Sequence, residues 1–281
     1  MNISYKKNAN GIYVPSISVT HRDDEYDQSS FEMLLQMQGE HFWYRGRHRF
    51  LLASVDRYVR AKQVPLSAID LGGGVGGWIR YLADRRADLF QTLALADSSE
   101  IALTLAQNTM PARAQCYNVD LMNLGWENHW DYAFLLDVIE HLPNDTEALR
   151  QAAKAIKPGG CLFVTTPALK QFWSYNDDLV SHLRRYNRKD YQNLAARSGL
   201  ELCDVRYFMF FLSPLYILSR SVPSMVQMSV EEKKAMAIKQ HAIPAKPINA
   251  SLSAIFAAET PVGHWINFPW GTSILGVFRK Q

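Results

Sequence analysis

Residues 69–77 read Ile-Asp-Leu-Gly-Gly-Gly-Val-Gly-Gly, an acid within an apolar stretch followed by five glycines in six positions. Glycine lets the backbone turn sharply and lets a ligand approach without meeting a Cβ. The helix-like segment 78–86 follows at once, so the order is strand, acid, glycine loop and helix. In open α/β sheets this order builds a crevice at the carboxyl edge of the parallel strands, where ligands bind. We therefore expect a ligand with a ribose or an amino-acid moiety there.

The glycine loop fits two cofactor patterns. Gly72, Gly74 and Gly77 satisfy G-x-G-x-x-G, the dinucleotide fingerprint that admits a pyrophosphate to a helix N-terminus. Asp70 with Gly72, Gly74 and Gly76 satisfies D-x-G-x-G-x-G, which resembles the cofactor loop of class I S-adenosylmethionine-dependent methyltransferases. An anionic Asp70 is poorly suited to a pyrophosphate because like charges repel, but it suits a ligand that bears an ammonium and a sulfonium. A flexible turn without a ligand is the third interpretation.

Segments downstream of the loop discriminate between these patterns. The apolar stretch 93–96 leads into Asp97, where a carboxylate would accept both ribose hydroxyls, although a dinucleotide fold would place an acid there too. The discriminating segments are 119–121, 132–142 and 156–166. In this order and spacing they resemble the successive motifs of class I methyltransferases. The resemblance runs from about residue 38 to the C-terminus.

The resemblance implies a fold and a cofactor. The fold is α/β, a Rossmann-like seven-stranded and mainly parallel sheet with an antiparallel last strand, plus an N-terminal helical lid and an inserted helical cap. The cofactor is S-adenosyl-L-methionine, and its product is S-adenosyl-L-homocysteine. Gly72, Gly74 and Gly76 would line the methionine part of the cofactor, and Asp70 would act on its amino group directly or through water.

The same resemblance implies roles for the acids at the strand ends. Asp97 would bind the ribose hydroxyls, with Ser98 beside it in the cofactor site. Asp120 would accept a hydrogen bond from the adenine amino group, with the Leu121 backbone nearby, and Asp137 would lie beneath the methionine moiety. As an alternative, Asp97 and Asp120 only form turns at strand ends.

An aromatic and basic segment, 41–49, precedes the core. A ring face attracts a cation through its quadrupole, and related enzymes fold an N-terminal helix over the cofactor. Our hypothesis is that Trp43 and Tyr44 roof the pocket, Tyr44 over the cofactor and Trp43 toward the substrate, while Arg47 pairs with the cofactor carboxylate. The alternative is an ordinary aromatic face that packs this helix against the sheet.

A second basic segment contains the pattern H-x-R-R-Y at 182–186. Related methyltransferases of sugar and natural-product pathways carry a similar stretch, which favours a loop at the substrate entrance with Arg184, Arg185 and Tyr186 in contact with the substrate. Arginine pairs can bind a phosphate or carboxylate bidentately. A solvated charged loop is the alternative. Nucleic acid is a weaker one, because one short basic cluster makes no continuous phosphate track.

The chemistry of methyl transfer indicates which further groups are needed. The step is an in-line displacement at carbon, so an enzyme contributes mainly proximity, alignment and exclusion of water. A hydroxyl acceptor also needs a general base, and His141 and His182 are the catalytic candidates on the expected substrate face. An amine acceptor need only lose its proton on binding. The alternative for Glu140 and His141 is that they open a helix, with Glu140 serving only its positive end.

The expected acceptor is an O or N atom of a small molecule, such as a sugar, a natural-product intermediate or another biosynthetic intermediate. A formal net charge of only +3 gives no overall field that points to nucleic acid. The three cysteines are far apart and the eight histidines form no H-x-x-x-H pair, so we expect reduced thiols, a cytoplasmic location and no metal. The N-terminus shows no charged-then-apolar leader pattern, and no apolar run reaches the ~18 residues of a membrane span. The acceptor molecule and the oligomeric state stay open.

Along the chain we predict three regions. An N-terminal arm and helical lid cover 1–60, with a loose arm over 1–28. A cofactor-binding core covers 61–208 and 271–281, and an inserted cap over the substrate side covers 209–270. Individual elements are predicted from capping and apolar patterns: strands Ala68–Leu71, Leu200–Phe208 and an antiparallel Ser273–Arg279, and helices from an N-cap at Ser29 or Ser30, over 49–62, and from Asn187 with Asp190 to Gly199.

The apolar run 207–218 begins the insertion. At twelve residues it is too short for a membrane helix and favours a buried strand end and core helix. An apolar wall for a lipid-like or carrier-linked substrate fits it too. Two other classes of function stay open: an NAD(P)-dependent oxidoreductase, and a non-catalytic scaffold that binds the cofactor only as a ligand.

Overall fold

The computed structural model describes residues 3–19, 21, 28–59, 65–220 and 242–281, without the side chains of 28–30 and 220. Nine strands within this part form a single sheet: β1 Tyr5–Lys7, β2 Tyr13–Pro15, β3 Leu66–Leu71, β4 Phe90–Asp97, β5 Gln115–Asn118, β6 Trp130–Leu136, β7 Ile156–Pro167, β8 Glu201–Phe208 and β9 Ser273–Arg279. Their order across the sheet is β1-β2-β5-β4-β3-β6-β7-β9-β8.

The centre of the sheet is parallel. Strands β5, β4, β3, β6 and β7 run parallel to one another, and β9 is antiparallel to both β7 and β8. All seven residues of β6 are buried, which explains why residues 132–136 form a continuous apolar run rather than an alternating one. The predicted α/β fold with its antiparallel last strand is confirmed, and β9 has the predicted bounds.

Nine helices are described in the same residues: α1 Gln28–Glu40, α2 Phe42–Tyr58, α3 Gly77–Arg85, α4 Glu100–Gln107, α5 Asp145–Ala155, α6 Tyr175–Leu179, α7 Arg188–Ser198, α8 Ser213–Arg220 and α9 Lys246–Trp265. Helices α5 and α7 pack on one face of the sheet, and α2 and α3 pack on the other. The sheet is therefore covered on both sides, and its carboxyl edge is left for a site.

The N-terminal segment differs from the prediction. The expectation of a loose arm is wrong for β1 and β2, which extend the sheet beyond β5 and raise the strand count from the predicted seven to nine. Aromatic contacts hold them there: the Tyr13 ring stacks on Tyr117 at 4.7 Å between centroids, and the Tyr5 ring stacks on Trp126 at 4.9 Å. Residues 22–27 of the predicted arm lie outside the described residues.

The predicted helix boundaries agree in part. Helix α7 has the predicted capping box of Asn187 and Asp190 and ends at Gly199, whose φ is 72°. Helix α1 already includes Ser29 and Ser30, so an N-cap at either serine is wrong. The helix predicted over 49–62 begins seven residues earlier, at Phe42, because the His41 side chain accepts a hydrogen bond from the Trp43 amide at 3.1 Å and caps it. It ends at Tyr58, before the predicted residue 62, which itself lies outside the described residues.

Helix α9, from the predicted insertion, packs against α2. The Asn249 side chain accepts a hydrogen bond from the Phe42 amide at 2.8 Å, and Arg49 donates one to Ser253 Oγ at 2.7 Å. The ring of Phe256 lies so close to α2 that a Cβ at Gly46 would overlap it. The insertion is thus attached to the helix that carries the aromatic and basic segment.

The apolar run 207–218 divides at its middle. Phe208, Met209 and Leu212 are buried, as expected for a strand end and core, whereas Leu215 is 50% exposed and Leu218 73% exposed. The segment that follows, 221–241, lies outside the described residues. Of the helices that are described, none has the length and apolar character needed to cross a bilayer.

Candidate active site

The glycine loop connects β3 to α3 at the carboxyl edge of the sheet. Gly72, Gly74 and Gly76 have φ angles of 75°, 57° and 76°, a left-handed conformation that L side chains rarely adopt. A Cβ at Gly73 would overlap the carboxylate of Asp70. The loop therefore requires glycine for its conformation and for the close approach of this acid.

Two N-terminal side chains contact the crevice. Gln38 Oε1 accepts a hydrogen bond from the Gly77 amide at 2.8 Å, which places α1 on the loop. His21 Nδ1 lies 2.8 Å from the hydroxyl of Ser98, a predicted cofactor residue. Neither Gln38 nor His21 was predicted, because neither belongs to a recognisable motif.

Asp70 is the buried acid of the loop. It is 1% exposed, and its Oδ1 has no hydrogen-bond partner among the described residues. Burial raises the pKa of Asp70 to about 7, while Arg47 opposes the rise and the Asp97 carboxylate adds to it. A buried carboxylate without a partner is costly, and an ammonium group is the chemistry that satisfies it. The amino group of a methionine moiety fits this requirement.

Asp97 ends β4 and holds the loop. Its Oδ2 accepts a hydrogen bond from the Gly74 amide at 2.8 Å, and its Oδ1 accepts one from the Ser99 amide at 2.9 Å. Burial raises the pKa of Asp97 and these amides oppose the rise. Because each carboxylate oxygen has a second lone pair, the acid can still accept from the hydroxyls of a ribose.

Asp120 follows β5 and forms a turn. Its Oδ1 accepts a hydrogen bond from the Met122 amide at 2.8 Å, and its carbonyl accepts one from the Asn123 amide at 2.9 Å. Leu121 is partly buried against the core. The turn proposed as an alternative thus exists, and the adenine contact predicted for Asp120 and Leu121 stays a prediction that is compatible with it.

Asp137 directly follows β6, has a φ of 58° and pairs with Arg47, which is 5% exposed. The Arg47 guanidinium lies 5.0 Å from the Trp43 ring and 5.2 Å from the Tyr44 ring, so both rings cover this cation. Arg47 Nε has no hydrogen-bond partner in the described part of the chain. The roles predicted for Trp43, Tyr44 and Arg47 toward the ligands stay predictions, and the structure adds that Asp137 holds Arg47.

The two predicted catalytic histidines come together. The rings of His141 and His182 lie 4.7 Å apart between centroids. His182 Nδ1 lies 2.9 Å from Asp177 Oδ1, and Arg185 donates two hydrogen bonds to the same carboxylate at 2.7 and 3.0 Å. Asp177 is 1% exposed, and although burial alone would raise its pKa, the hydrogen bonds from His182 and Arg185 hold the pKa well below its usual range. Asp177 therefore fixes both residues.

Asp177 itself was not predicted as a site residue. It forms a capping box with Ser174 at the start of α6, so its local sequence pattern indicates only a helix start. The contact with His182 and Arg185 depends on the path of the chain between α6 and α7. A local pattern carries no information about that path.

Glu140 lies directly beside the histidine pair. It belongs to a separate 3₁₀ turn, Ile139–His141, while α5 begins later with Asn144 as its N-cap, so the interpretation that Glu140 and His141 open that helix is wrong. Glu140 is 0% exposed, and neither carboxylate oxygen makes a hydrogen bond to another described residue. Burial, together with the charge of Asp137, raises the pKa of Glu140 well above its usual range.

The predicted substrate residues of the second basic segment make intramolecular contacts. Arg184 Nη1 lies 2.9 Å from Asp145, and Tyr186, which is buried, donates a hydrogen bond to the same carboxylate at 2.9 Å. Arg185 is paired with Asp177 and donates to Tyr216 Oη at 2.8 Å. A pocket of about 280 Å³ opens beside them. Their contact with a substrate stays a prediction, and these bonds show that they also hold the loop.

Comparison with known proteins identifies the family. A family model described as a methyltransferase domain matches residues 42–205. The chain is 25% identical over 193 residues to phosphoethanolamine N-methyltransferase 2 of Caenorhabditis elegans, a match that covers 65% of this chain and 44% of that protein. It spans less than half the length of the curated relatives it matches.

Solved structures share the fold. Phosphoethanolamine N-methyltransferase 2 of Haemonchus contortus, in complex with S-adenosyl-L-methionine, has a TM-score of 0.57 at 18% identity, covering 95% of this chain and 61% of that one. Geranyl diphosphate C-methyltransferase of Streptomyces coelicolor A3(2) has a TM-score of 0.52 at 12% identity, covering 84% and 75%. With more than half of its length matched by the family model, the chain belongs to the class I S-adenosylmethionine-dependent methyltransferases.

Proposed function

We propose that this protein transfers a methyl group from S-adenosylmethionine to an oxygen or nitrogen atom of a small-molecule acceptor. The observation that carries the proposal is the Asp70 carboxylate, buried and without a partner at Oδ1, inside the glycine loop of a methyltransferase family member. A ligand with an ammonium group supplies the missing partner. A pyrophosphate would bring further negative charge to the same place.

The order of the acids along the sheet supports an extended cofactor. The strands β5, β4, β3 and β6 are consecutive in the sheet, and their carboxyl ends carry, in that order, Asp120, Asp97, Asp70 and Asp137. Their proposed partners, namely adenine, ribose, amino group and methionine chain, have the same order along the cofactor. S-adenosylmethionine, when bound, supplies an electrophilic methyl group on sulfur.

The helix α2 would close the other side of the cofactor. Asp137 holds the Arg47 guanidinium in place, and Arg47 Nε is a donor left over for a carboxylate, within the part of the chain described. Trp43 and Tyr44 cover Arg47 and would exclude water from this side. These residues bind and orient, which is most of what an in-line displacement needs.

The histidine pair supports the choice of acceptor. Asp177 engages Nδ1 of His182, which leaves Nε2 as the nitrogen available to a ligand. An oxygen or nitrogen acceptor carries a proton that must leave, and a site with two imidazoles suits such a group. The relatives named above act on nitrogen and on carbon. The exposed apolar side chains of the run 207–218 could contact a lipid-like or carrier-linked acceptor, so the proposal includes acceptors of this kind.

Calorimetric titration of the full chain with S-adenosylmethionine, S-adenosylhomocysteine and NADH tests the cofactor. We expect both sulfur ligands to bind, and Asp70→Asn to weaken them by about 10- to 100-fold, because a charge-assisted hydrogen bond is lost. Asp84→Asn, at an exposed position of α3, is the matched control and should bind like the parent. Binding of NADH without either sulfur ligand would overturn the proposal. If the cofactor binds but no labelled methyl group is transferred to any small molecule, the protein is a non-catalytic scaffold and the proposed methyl transfer is wrong.

A further inference from the structure

Three side chains with metal-binding chemistry meet on the acceptor side of the crevice. Glu140, His141 and His182 each offer one nitrogen or oxygen atom, and these atoms lie within 4.8 Å of one another. Glu140 and His141 come from the turn after β6, whereas His182 comes from the loop before α7. The fold thus brings two separate stretches of sequence to one point.

Glu140 lacks the counter-charge that the neighbouring acids have. Arg47 pairs with Asp137, and Arg185 pairs with Asp177. Glu140 is buried as deeply as Asp177, but neither of its oxygens makes a hydrogen bond to another described residue. An anion out of contact with water is costly unless it is paired or coordinates a metal. Both oxygens of Glu140 are therefore available to bind a cation, within the described part of the chain.

His182 is already oriented as a ligand. Its Nδ1 is hydrogen-bonded to Asp177, and Asp177 is held in turn by Arg185. Metal-binding histidines nearly always give their second ring nitrogen to a carboxylate or a carbonyl in this way, which fixes the ring and its tautomer. The nitrogen that remains, Nε2, is the one presented to an ion.

We propose that Glu140, His141 and His182 bind a divalent transition-metal ion of the zinc class. Two imidazoles and one carboxylate form a donor set that such ions prefer, and three protein ligands leave a position open for an oxygen atom of the acceptor. Bonds of ~2.1 Å place tetrahedral ligands about 3.4 Å apart. The ligand atoms of the three residues lie within 4.8 Å of one another, so the two partly exposed histidines would have to move about 1 Å closer to bind one ion.

The consequence for the reaction rests on the proposed function. An acceptor hydroxyl bound to the ion would release its proton to water more readily, because a metal lowers the pKa of a coordinated oxygen. The two histidines would then act as ligands rather than as proton acceptors. Metal binding itself requires neither cofactor nor acceptor, so it can be measured alone.

The test titrates the full chain, freed of metal by chelator and without cofactor, with Zn²⁺ by calorimetry and with Co²⁺ by visible absorption. We expect one equivalent of either ion to bind, and Mg²⁺ to bind far more weakly. Glu140→Gln should lower the affinity for Zn²⁺ by more than about 100-fold. Asp177→Asn, which acts through His182, should lower it by about 10- to 100-fold. His129→Ala removes an exposed histidine just before β6 and should change nothing.

Two results would overturn the inference: no stoichiometric binding to the parent chain, or variants that bind as tightly as the parent. If Glu140→Gln does not fold, as judged by its thermal transition, His182→Gln carries the test. S-adenosylhomocysteine affinity is measured on the same samples. Metal binding without cofactor binding would refute the proposed function alone, and the reverse would refute the metal site alone.

Discussion

On the cofactor side, Asp70 and Asp97 lie at the carboxyl ends of adjacent strands, and the Oδ atoms of Asp97 accept hydrogen bonds from backbone amides at 2.8 and 2.9 Å. On the proposed acceptor side, Glu140 and the two histidines come from separate segments, and the side chain of Asp177 holds His182 and Arg185. The backbone of the sheet therefore builds the first region, and charge pairing builds the second. Substitutions should affect the two regions in different ways.

The largest effect is expected for Asp70, as a dependence of stability on pH. Burial raises the pKa of Asp70 from 3.8 to about 7, so the native state keeps a proton that the unfolded chain has released between these values. The free energy of unfolding therefore falls as the pH rises from about 4 to 7, by roughly 4 kcal/mol in total from this group. Asp70→Asn should remove this contribution, and urea unfolding of both proteins at pH 5 and pH 8 measures it.

Between those two pH values the difference in stability between parent and Asp70→Asn should grow by roughly 3 kcal/mol in favour of the variant. Other titrating groups are common to both proteins and cancel in the difference. If the free energies of unfolding of the two proteins change in parallel with pH, Asp70 has a charge partner in the free protein. The two regions would then both depend on charge pairing.

Next in size is the loss of the ion pair that organises the acceptor side. Arg185 and Asp177 have side chains 5% and 1% exposed, so Arg185→Ala leaves a buried carboxylate that keeps its contacts with His182 and Ser174 but loses its arginine. We expect a loss of about 3 kcal/mol in the free energy of unfolding. A double-mutant cycle with Asp177→Ala, followed by urea unfolding, isolates the pair. A coupling energy near zero would contradict the view that charge pairing builds this region.

The third prediction separates turnover from cofactor affinity. His182→Ala should lower kcat by about 100-fold, equivalent to ~2.7 kcal/mol, because under the proposed function it removes a group that contacts the acceptor or its metal. The Kd for S-adenosylhomocysteine should stay within about two-fold of the parent, since the cofactor acids lie on other strands. His129→Ala serves as the control. An equal loss of affinity for S-adenosylhomocysteine would mean that the cofactor side and the acceptor side are not energetically independent.

The smallest effect is expected for Arg184, the neighbour of Arg185 in sequence. Its side chain is 32% exposed where it pairs with Asp145. Exposed pairs contribute less than about 1 kcal/mol and are screened by salt. Arg184→Ala should therefore destabilise far less than Arg185→Ala in the same unfolding assay, and 0.5 M NaCl should reduce the difference from the parent. Equal losses for the two arginines would show that burial does not set the strength of these pairs.

Features that depend on neighbouring residues could be predicted from the sequence. The glycine loop, the caps of α7 and the bounds of β9 each follow from a contiguous pattern with its own physical reason, such as the left-handed conformation at Gly199. Asp97 could be placed because it ends an apolar strand at a known distance from the loop. The cofactor side is accordingly the part of the site that the sequence describes best.

Features that depend on distant partners could not be predicted. Strands β1 and β2 have three residues each, too few for a pattern, and aromatic stacking on Tyr117 and Trp126 holds them. The burial of Glu140 and the hydrogen bond between Asp177 and His182 exist only once the chain has folded. The expectation that no metal binds stays a prediction; it rests on spacing along the chain, which does not register ligands that meet through tertiary structure.

The strand β1 has a consequence for solubility. Without β1 and β2, the sheet would end at β5, a strand with open hydrogen-bonding groups beside the rings of Tyr117 and Trp126, and such an edge invites pairing with a second molecule. Instead the sheet ends in three residues, two of which are the exposed lysines Lys6 and Lys7. A short edge strand with positive charge pairs poorly with another sheet, so we expect this N-terminal hairpin to disfavour aggregation through the sheet edge.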